Sequence, residues 1–315
     1  MLLAVSSCLL GNNVRYDGSN QMNKFVLKTL SEYAQFVPFC PEHLALGTPR
    51  ETIRIISEKE KDLELKTVFT KEDVTSKVFE ASSQEIDNLK KQAICGIILK
   101  SKSPSCGLGS TKYYENGMPQ GKKDGVFAAM CKEEFKYLPI EEEARLNDAW
   151  LRENFIMQIF AYSEVEELSN KITKFNELVE FHTSYKYLLH SKNEVLYREL
   201  GNIVANHEKK SLKDIMDEYK QLFKQTIATK SKISKTVNVL EHMVGFFKKD
   251  LTSKEKIELK DLIAQYKEKI IPLITVIALI KMFSVKYEKE FLLKQKFLHP
   301  YPDKLALRSD INSGK

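Results

Sequence analysis

Lys100-Ser101-Lys102-Ser103-Pro104-Ser105-Cys106-Gly107 follows directly on the apolar run Ile94-Cys95-Gly96-Ile97-Ile98-Leu99. The run reads as a buried strand, and the Lys/Ser/Pro/Gly stretch after it as a turn carrying a cysteine. Two earlier segments repeat the arrangement: Leu2-Leu3-Ala4-Val5-Ser6-Ser7-Cys8 and Phe36-Val37-Pro38-Phe39-Cys40-Pro41-Glu42. In each, a short apolar run ends, a cysteine follows, and polar or turn residues come next. If the three runs are parallel strands of one sheet, all three thiols lie at its carboxyl edge, where open α/β sheets keep their sites.

The chain has 315 residues, enough for two domains with ordinary cores. No apolar run approaches the roughly 20 residues that a membrane helix needs. The apolar N-terminus lacks a basic leader and reads as a first strand, not a signal peptide. Five cysteines in a chain of this length do not make a disulfide framework, so the expected compartment is the cytoplasm. Residues 1–150 carry 20 Lys/Arg and 21 Asp/Glu; residues 151–315 carry the remaining 29 and 22 of the chain's 49 and 43. The positive excess therefore lies in the second half. Tyr219–Leu240 holds no acid but contains Lys220, Lys224, Lys230, Lys232 and Lys235, a pattern that suits either polyanion binding or a solvated helix face.

Along the first half, strand and helix signals alternate. The loop Cys8–Gly18 leads to a helix over about Asn23–Tyr33, then to the second strand and the loop Cys40–Arg50. An edge strand is expected near Leu63–Phe69, a helix from Asp73-Val74-Thr75 to about Gln92, and a polar hairpin or lid over Tyr113–Gly125. A helix over Val126–Glu134 and a short strand near Tyr137–Ile140 complete the unit. Strands separated by helices argue for a parallel, Rossmann-like sheet, so the first half is α/β. The boundary is expected around Glu141–Trp150, giving domains 1–142 and 143–315. Beyond it, apolar residues recur at helical spacing through Leu146–Leu168, Phe175–His190, Leu196–Ala205, Leu212–Ile227, Val237–Phe247, Lys254–Lys269 and Leu273–Tyr287. Pro272 reads as the first residue of the last helix. The second half is an all-α bundle.

Cys8, Cys40 and Cys106 match neither a zinc ribbon nor the close cysteine runs of ferredoxins. Three thiolates without a fourth give an incomplete shell: a [4Fe–4S] cluster would keep one open iron, and zinc one open site for water. The alternative is three unrelated core cysteines, as Cys95 in its strand and Cys131 in its helix are read. Around the three thiols lie Glu42 and Asp17, able to move protons, and Lys100, Ser101, Ser103 and Ser105, able to hold a carbonyl or an anion. Arg15 and Arg50 either bind phosphate or pair with these carboxylates.

The local spelling resembles the TudS-type thiouracil desulfidases. It is carried by Ser7-Cys8-Leu9 with Val14–Gly18, Cys40-Pro41-Glu42 with Gly47-Thr48-Pro49-Arg50, Asp73-Val74-Thr75, and Lys100–Gly107. The resemblance implies a [4Fe–4S] cluster on Cys8, Cys40 and Cys106, with one iron free for a thiocarbonyl sulfur. It also implies acid/base and positioning roles for Glu42, Asp17 and the serines before Cys106. Many relatives have a longer loop with a second glutamate after the Cys-Pro-Glu; here His43-Leu44-Ala45-Leu46 stands instead, so that carboxylate is absent or moved.

The second half resembles the helical domain of YbgA-like proteins. The matching pieces are Arg145–Asp148 with Leu151–Phe155, Phe181–Lys186, Asn238–His242 with Gly245-Phe246-Phe247, and Pro300-Tyr301-Pro302 near Arg308. The fusion resembles the RudS type, which implies removal of sulfur from 4-thiouridine in tRNA, giving uridine and sulfide without net electron transfer. Lys186, Lys224, Lys230, Lys232, Lys235, His182, Asn238 and His242 are the RNA-contact candidates on that reading, packing or helix capping being the alternative for the histidines. The rival readings are a desulfidase of free thiolated bases or nucleosides, and a non-catalytic nucleic-acid-binding metal protein. No membrane partner is expected.

Overall fold

Leu2–Ser6, apolar or small throughout and almost wholly buried, forms the first strand, β1. A strand buried on both faces belongs inside a parallel sheet, and β1 is flanked there by β2 (Gln35–Phe39) and β5 (Ile97–Leu99). The computed structural model describes residues 1–56 and 63–305. They form two units, Met1–Phe155 and a second from Ile156 on. In the first unit the order is β2-β1-β5-β8, with β8 at Ile140–Glu142, and every pairing is parallel. Pro38 sits in β2, which is an edge strand, where a missing amide is tolerated. Ser6 pairs with Phe39, and Val5 with Ile98, so β1, β2 and β5 end nearly level. The three cysteine-bearing turns leave from those ends.

A second, four-stranded sheet runs in the order β4-β3-β6-β7 (β3 Ile53–Ile56, β4 Glu64–Thr67, β6 Thr111–Glu115, β7 Met118–Lys123). The expected edge strand is β4 and the expected hairpin is β6–β7, but both belong to a separate sheet that β3 completes. Its inner face contributes Ile53, Ile55 and Leu65 to a cluster with Val74, Val78 and Val126. Helix α1 (Pro41–Leu46) follows Cys40, α2 (Thr75–Lys90) buries Val78, Ala81, Ile86 and Leu89 at helical spacing, and α3 (Val126–Glu134) buries Phe127 and Cys131.

Several expectations need correcting. No α-helix covers Asn23–Tyr33; a wide π-turn, Phe25–Thr29, passes into a 3-10 turn, Leu30–Glu32. Asn23 is tied by its amide to the Leu9 carbonyl and its side chain caps Val26, and the chain must then deliver both Val26 and Leu30 to the core. Cys95 precedes its strand instead of lying in it, with its amide on the Leu2 carbonyl. Residues 57–62 lie outside the described chain, as does Arg308.

Helix α4 (Ala149–Lys171) begins in the first unit and ends in the second. The second unit continues with α5 (Phe175–Lys192), α6 (Glu194–Ala205), α7 (Leu212–Ala228), α8 (Ile233–Val244), α9 (Ser253–Lys267), α10 (Leu273–Lys286) and the short α11 (Glu290–Leu293). Among the described residues it contains no strand. Pro272 is the N-cap of α10 and not its first helical residue; its ψ of 155° is extended. The core includes Phe181, Tyr185, Tyr219 and Phe223, whose rings pack on one another at centroid distances of 4.7–6.3 Å. Among the described residues no helix is long and apolar enough to cross a membrane.

Candidate active site

The three turns that leave the level ends of β1, β2 and β5 each place a thiol on one cavity. Cys8 lies in the 3-10 turn Ser7–Leu10 directly after β1, Cys40 caps α1 after β2, and Cys106 lies in the turn after β5. All three line a cavity of about 730 Å³, together with Glu42, Arg50, Lys100, Ser101 and Ser103. Strands β3 and β6 supply further lining through Arg54, Lys112 and Tyr114. Among the described residues no three His, Cys, Asp or Glu side chains are placed to hold a single metal ion.

Burial pushes the Cys8 thiol up to about 12, and the Cys40 charge adds to the shift. Cys40 is pushed to about 11, again by burial first. Cys106 is raised well above the ordinary thiol value by burial, then by the charges of Cys40 and Glu42. Lys100, Arg15 and Arg50 lower the Cys8 and Cys40 shifts without cancelling the effect of burial, so three thiolates here need further positive charge; a bound metal centre supplies it and keeps its thiols deprotonated. The donor set therefore fits a metal–sulfur cluster.

Glu42 is held from both sides. Arg50 Nη2 donates to Glu42 Oε2 at 2.9 Å, and the Ser103 hydroxyl donates to Glu42 Oε1 at 2.6 Å. Ser103 Oγ in turn accepts the amides of Ser105 at 3.2 Å and Cys106 at 3.1 Å, so one serine joins the carboxylate to the Cys106 turn. Arg50 also donates to the carbonyls of Val14 at 2.9 Å and Gly47 at 3.0 Å, which ties the Cys8 loop to the Cys40 helix. Of the two open roles for Arg50, the structure shows the pairing one. Arg15 likewise donates to Gln21 and lies 3.8 Å from Asp17.

Asp17 stands apart from the cavity wall. Its carboxylate accepts the amide and hydroxyl of Ser19, which hold its pKa below the ordinary value in an exposed turn. Lys100 and Ser101 are engaged by a carboxylate at the expected domain boundary. Glu143 accepts the Ser101 amide at 2.6 Å and its hydroxyl at 2.8 Å, and pairs with the Lys100 ammonium. Its neighbour Glu142 accepts the Leu108 amide at 3.0 Å and the Ser110 hydroxyl at 2.7 Å. The buried acids that end β8 thus brace the Cys106 turn from behind. Glu85, on α2, accepts the Cys40 amide at 3.0 Å, and burial raises its pKa. The short strand expected near Tyr137–Ile140 lies later, at Ile140–Glu142, so two of the acids are part of β8 itself; nothing in the local sequence marks Glu85.

The RNA-contact candidates of the second unit divide. Lys224 is buried against Glu166 and lies over the Tyr162 ring at 4.2 Å. Lys235 pairs with Glu194 at 2.9 Å, and Lys186 lies 5.6 Å from the Tyr187 ring centroid. His182 stacks on Tyr197 at 5.7 Å and meets the Tyr219 hydroxyl at 3.2 Å, and burial lowers its pKa to about 4. Lys230, Lys232, Asn238 and His242 are exposed. For Lys224 and His182 the structure shows packing instead of an open contact surface.

Known proteins resemble the two halves of the chain separately. The family model of 2-thiouracil desulfurase matches residues 3–143, and that of a protein of unknown function, DUF1722, matches residues 186–302. The uncharacterized protein YbbK of Bacillus subtilis (strain 168) is 36% identical over 140 residues, 42% of this chain and 90% of that protein. The uncharacterized protein YbgA of Escherichia coli (strain K12) is 30% identical over 156 residues, 49% of this chain and 91% of that protein. A solved structure of the [4Fe-4S]-dependent thiouracil desulfidase TudS is 28% identical, with a TM-score of 0.39 over 49% of this chain and 98% of that one.

Proposed function

The chain belongs to the 2-thiouracil desulfurase family, with a DUF1722 domain behind the desulfurase domain, and from that premise we propose an iron–sulfur-dependent desulfidase of 4-thiouridine in tRNA. The products are uridine and sulfide, and no net electron transfer is needed. The observation that carries the proposal is the convergence of Cys8, Cys40 and Cys106 on one cavity with a carboxylate fixed on its wall. Cys8, Cys40 and Cys106 would hold a [4Fe–4S] cluster, which, with one iron left without a protein ligand, would supply a Lewis acid for sulfur.

The remaining work falls to named side chains. Arg50 and Ser103 fix both oxygens of Glu42 on the cavity wall. There Glu42 takes a proton from the water that attacks the thiocarbonyl carbon. Ser103, whose hydroxyl donates to Glu42, holds the carboxylate in place, and Glu42 returns the proton to the departing sulfur as the C–S bond breaks. One water enters, and its oxygen replaces sulfur, which leaves as sulfide. Extruding the base from folded RNA costs a few kcal/mol, which contacts to the RNA backbone must offset. Lys230, Lys232, Asn238 and His242, exposed on the helical unit, stay candidates for that contact.

The test is anaerobic incubation of the iron- and sulfide-reconstituted protein with 4-thiouridine-containing tRNA, following loss of the near-ultraviolet thiocarbonyl absorbance. Release of sulfide that falls by about 10²–10⁴ in Glu42→Gln supports the proposal. Bound but unchanged tRNA sinks it in favour of a non-catalytic binding protein. Turnover of free 4-thiouridine without turnover of tRNA moves the substrate to the free nucleoside.

A further inference from the structure

The cavity described above is markedly cationic. Seven of its lining residues are Lys or Arg and one, Glu42, is acidic. Arg50 and Lys100 are committed to Glu42 and Glu143. The rest form the mouth, and most come from the second sheet. Lys112 on β6 stands directly opposite Lys122 on β7 in the antiparallel register, and both side chains are exposed and line the cavity. Like charges directly across a strand pair are destabilising, because the two Cβ atoms are about 5 Å apart. Neither ammonium meets a carboxylate among the described residues. On the neighbouring strand Arg54 faces Lys66, but there Glu64 lies 2.6 Å from the lysine and relieves the pair. The Lys112–Lys122 pair has no such relief, so the protein tolerates an unbalanced charge at the mouth.

Aromatic rings are interleaved with these cations. Arg54 on β3 lies over Tyr114 on β6 at 4.5 Å, and Arg15 lies over its neighbour Tyr16 in the Cys8 loop at 5.7 Å; all four line the cavity. Lys102 adds a further exposed cation from the Cys106 turn, held at a φ of 62°, a left-handed conformation that a lysine adopts at a cost. Cations on more than one element of the cavity wall, two of them lying over flat rings, suit a strand with phosphates on both sides of the reacting base. A monophosphate has only one. Stacking on aromatic rings holds flanking bases without reading their sequence.

We propose that the outer face of β3, β6 and β7 is a docking surface for the RNA backbone, with Lys112 and Lys122 as its principal phosphate contacts. It rests on the desulfidase reading for the identity of the base, but the surface belongs to the desulfurase domain and not to the basic helical unit. Contact with phosphate releases counterions, so the logarithm of affinity falls linearly with the logarithm of salt.

The experiment measures binding of an unmodified tRNA transcript to the full chain across a salt series. Lys112→Gln/Lys122→Gln is expected to weaken binding and to reduce the slope by about 2, one per lysine, while Lys112→Arg/Lys122→Arg restores it. The thermal midpoint of the Gln variant should be no lower than that of the parent, since a repulsion has been removed. An unchanged slope overturns the proposal, and so does an equal loss in Lys77→Gln/Lys90→Gln, whose lysines pair with Glu72 and Glu134 elsewhere. Displacement of the transcript by equimolar uridine 5′-monophosphate also overturns it, in favour of a single-phosphate site. Failure of the desulfidase reading would appear separately, as a parent protein that binds the transcript with the expected slope but releases no sulfide from thiolated tRNA.

Discussion

Replacing Arg50 by Met tests whether the site is held by one buried ion pair. Its side chain is only 6% exposed and that of Glu42 only 14%, and the guanidinium reaches Glu42, Val14, Gly47 and Thr48 from one place. The substitution leaves a carboxylate shielded from water with only the Ser103 hydroxyl on it. Breaking a buried pair on one side costs about 3–5 kcal/mol, against about 0–1 kcal/mol for an exposed pair. Amide exchange of Leu3–Val5 and Ile97–Leu99, the wholly buried strands of the first unit, reads the opening of that unit. At 1.36 kcal/mol per decade, the cost predicts exchange about 10²–10⁴ faster. Glu42→Gln keeps the shape and removes the charge, so adding it to Arg50→Met should cost less than the sum by about 0.5–3 kcal/mol. Strict additivity, or an Arg50→Met cost under about 1 kcal/mol, would refute the claim that the pair organises the site.

Two further outcomes follow from particular contacts. A Cβ on Gly125 would press on the carbonyl groups of Pro104 and Ser105, the nearest being backbone, so Gly125→Ala should displace the Cys106 turn and lower the iron content of the protein. His182 is neutral when folded, with a pKa near 4 against about 6.5 unfolded, so its stabilisation is complete above pH 6.5 and is lost as the pH falls toward 4. Urea unfolding of the helical unit should show about 3 kcal/mol lost over that window, flattened in His182→Gln.

The α/β character of the first half was legible because β1 and β5 are short apolar runs closed by turn residues, and parallel pairing brings their ends level. The second sheet was harder to see. Its strand Met118–Lys123 has no apolar alternation, and β3 and β6 meet across a long sequence gap, so neither announces its partner. Glu42 was visible beside Cys40, and its anchors Arg50 and Ser103 were visible as residue types but not as partners. The acidic run Glu141–Glu143 was placed at the domain boundary and not at the site, because three consecutive acids normally sit in water. Here they are buried, and Glu142 and Glu143 accept amides and hydroxyls of the Cys106 turn. Asp17 was drawn in by nearness in sequence to Cys8, yet Ser19 holds it in an exposed turn. Lysine-rich sequence on α7 and α8 likewise could not reveal that Lys224 turns inward to Glu166. Charge runs show where cations are, while tertiary packing decides which of them remain open.

The central claim is that Cys8, Cys40 and Cys106 together hold one iron–sulfur cluster. Its most direct test is the iron and acid-labile sulfide content of anaerobically reconstituted protein, measured for the parent and for each of the five single Cys→Ala variants. The account predicts iron and sulfide in equal amounts in the parent, loss in Cys8→Ala, Cys40→Ala and Cys106→Ala, and retention in Cys95→Ala and Cys131→Ala. Full content in any of the first three, or equal loss in Cys131→Ala, would contradict it.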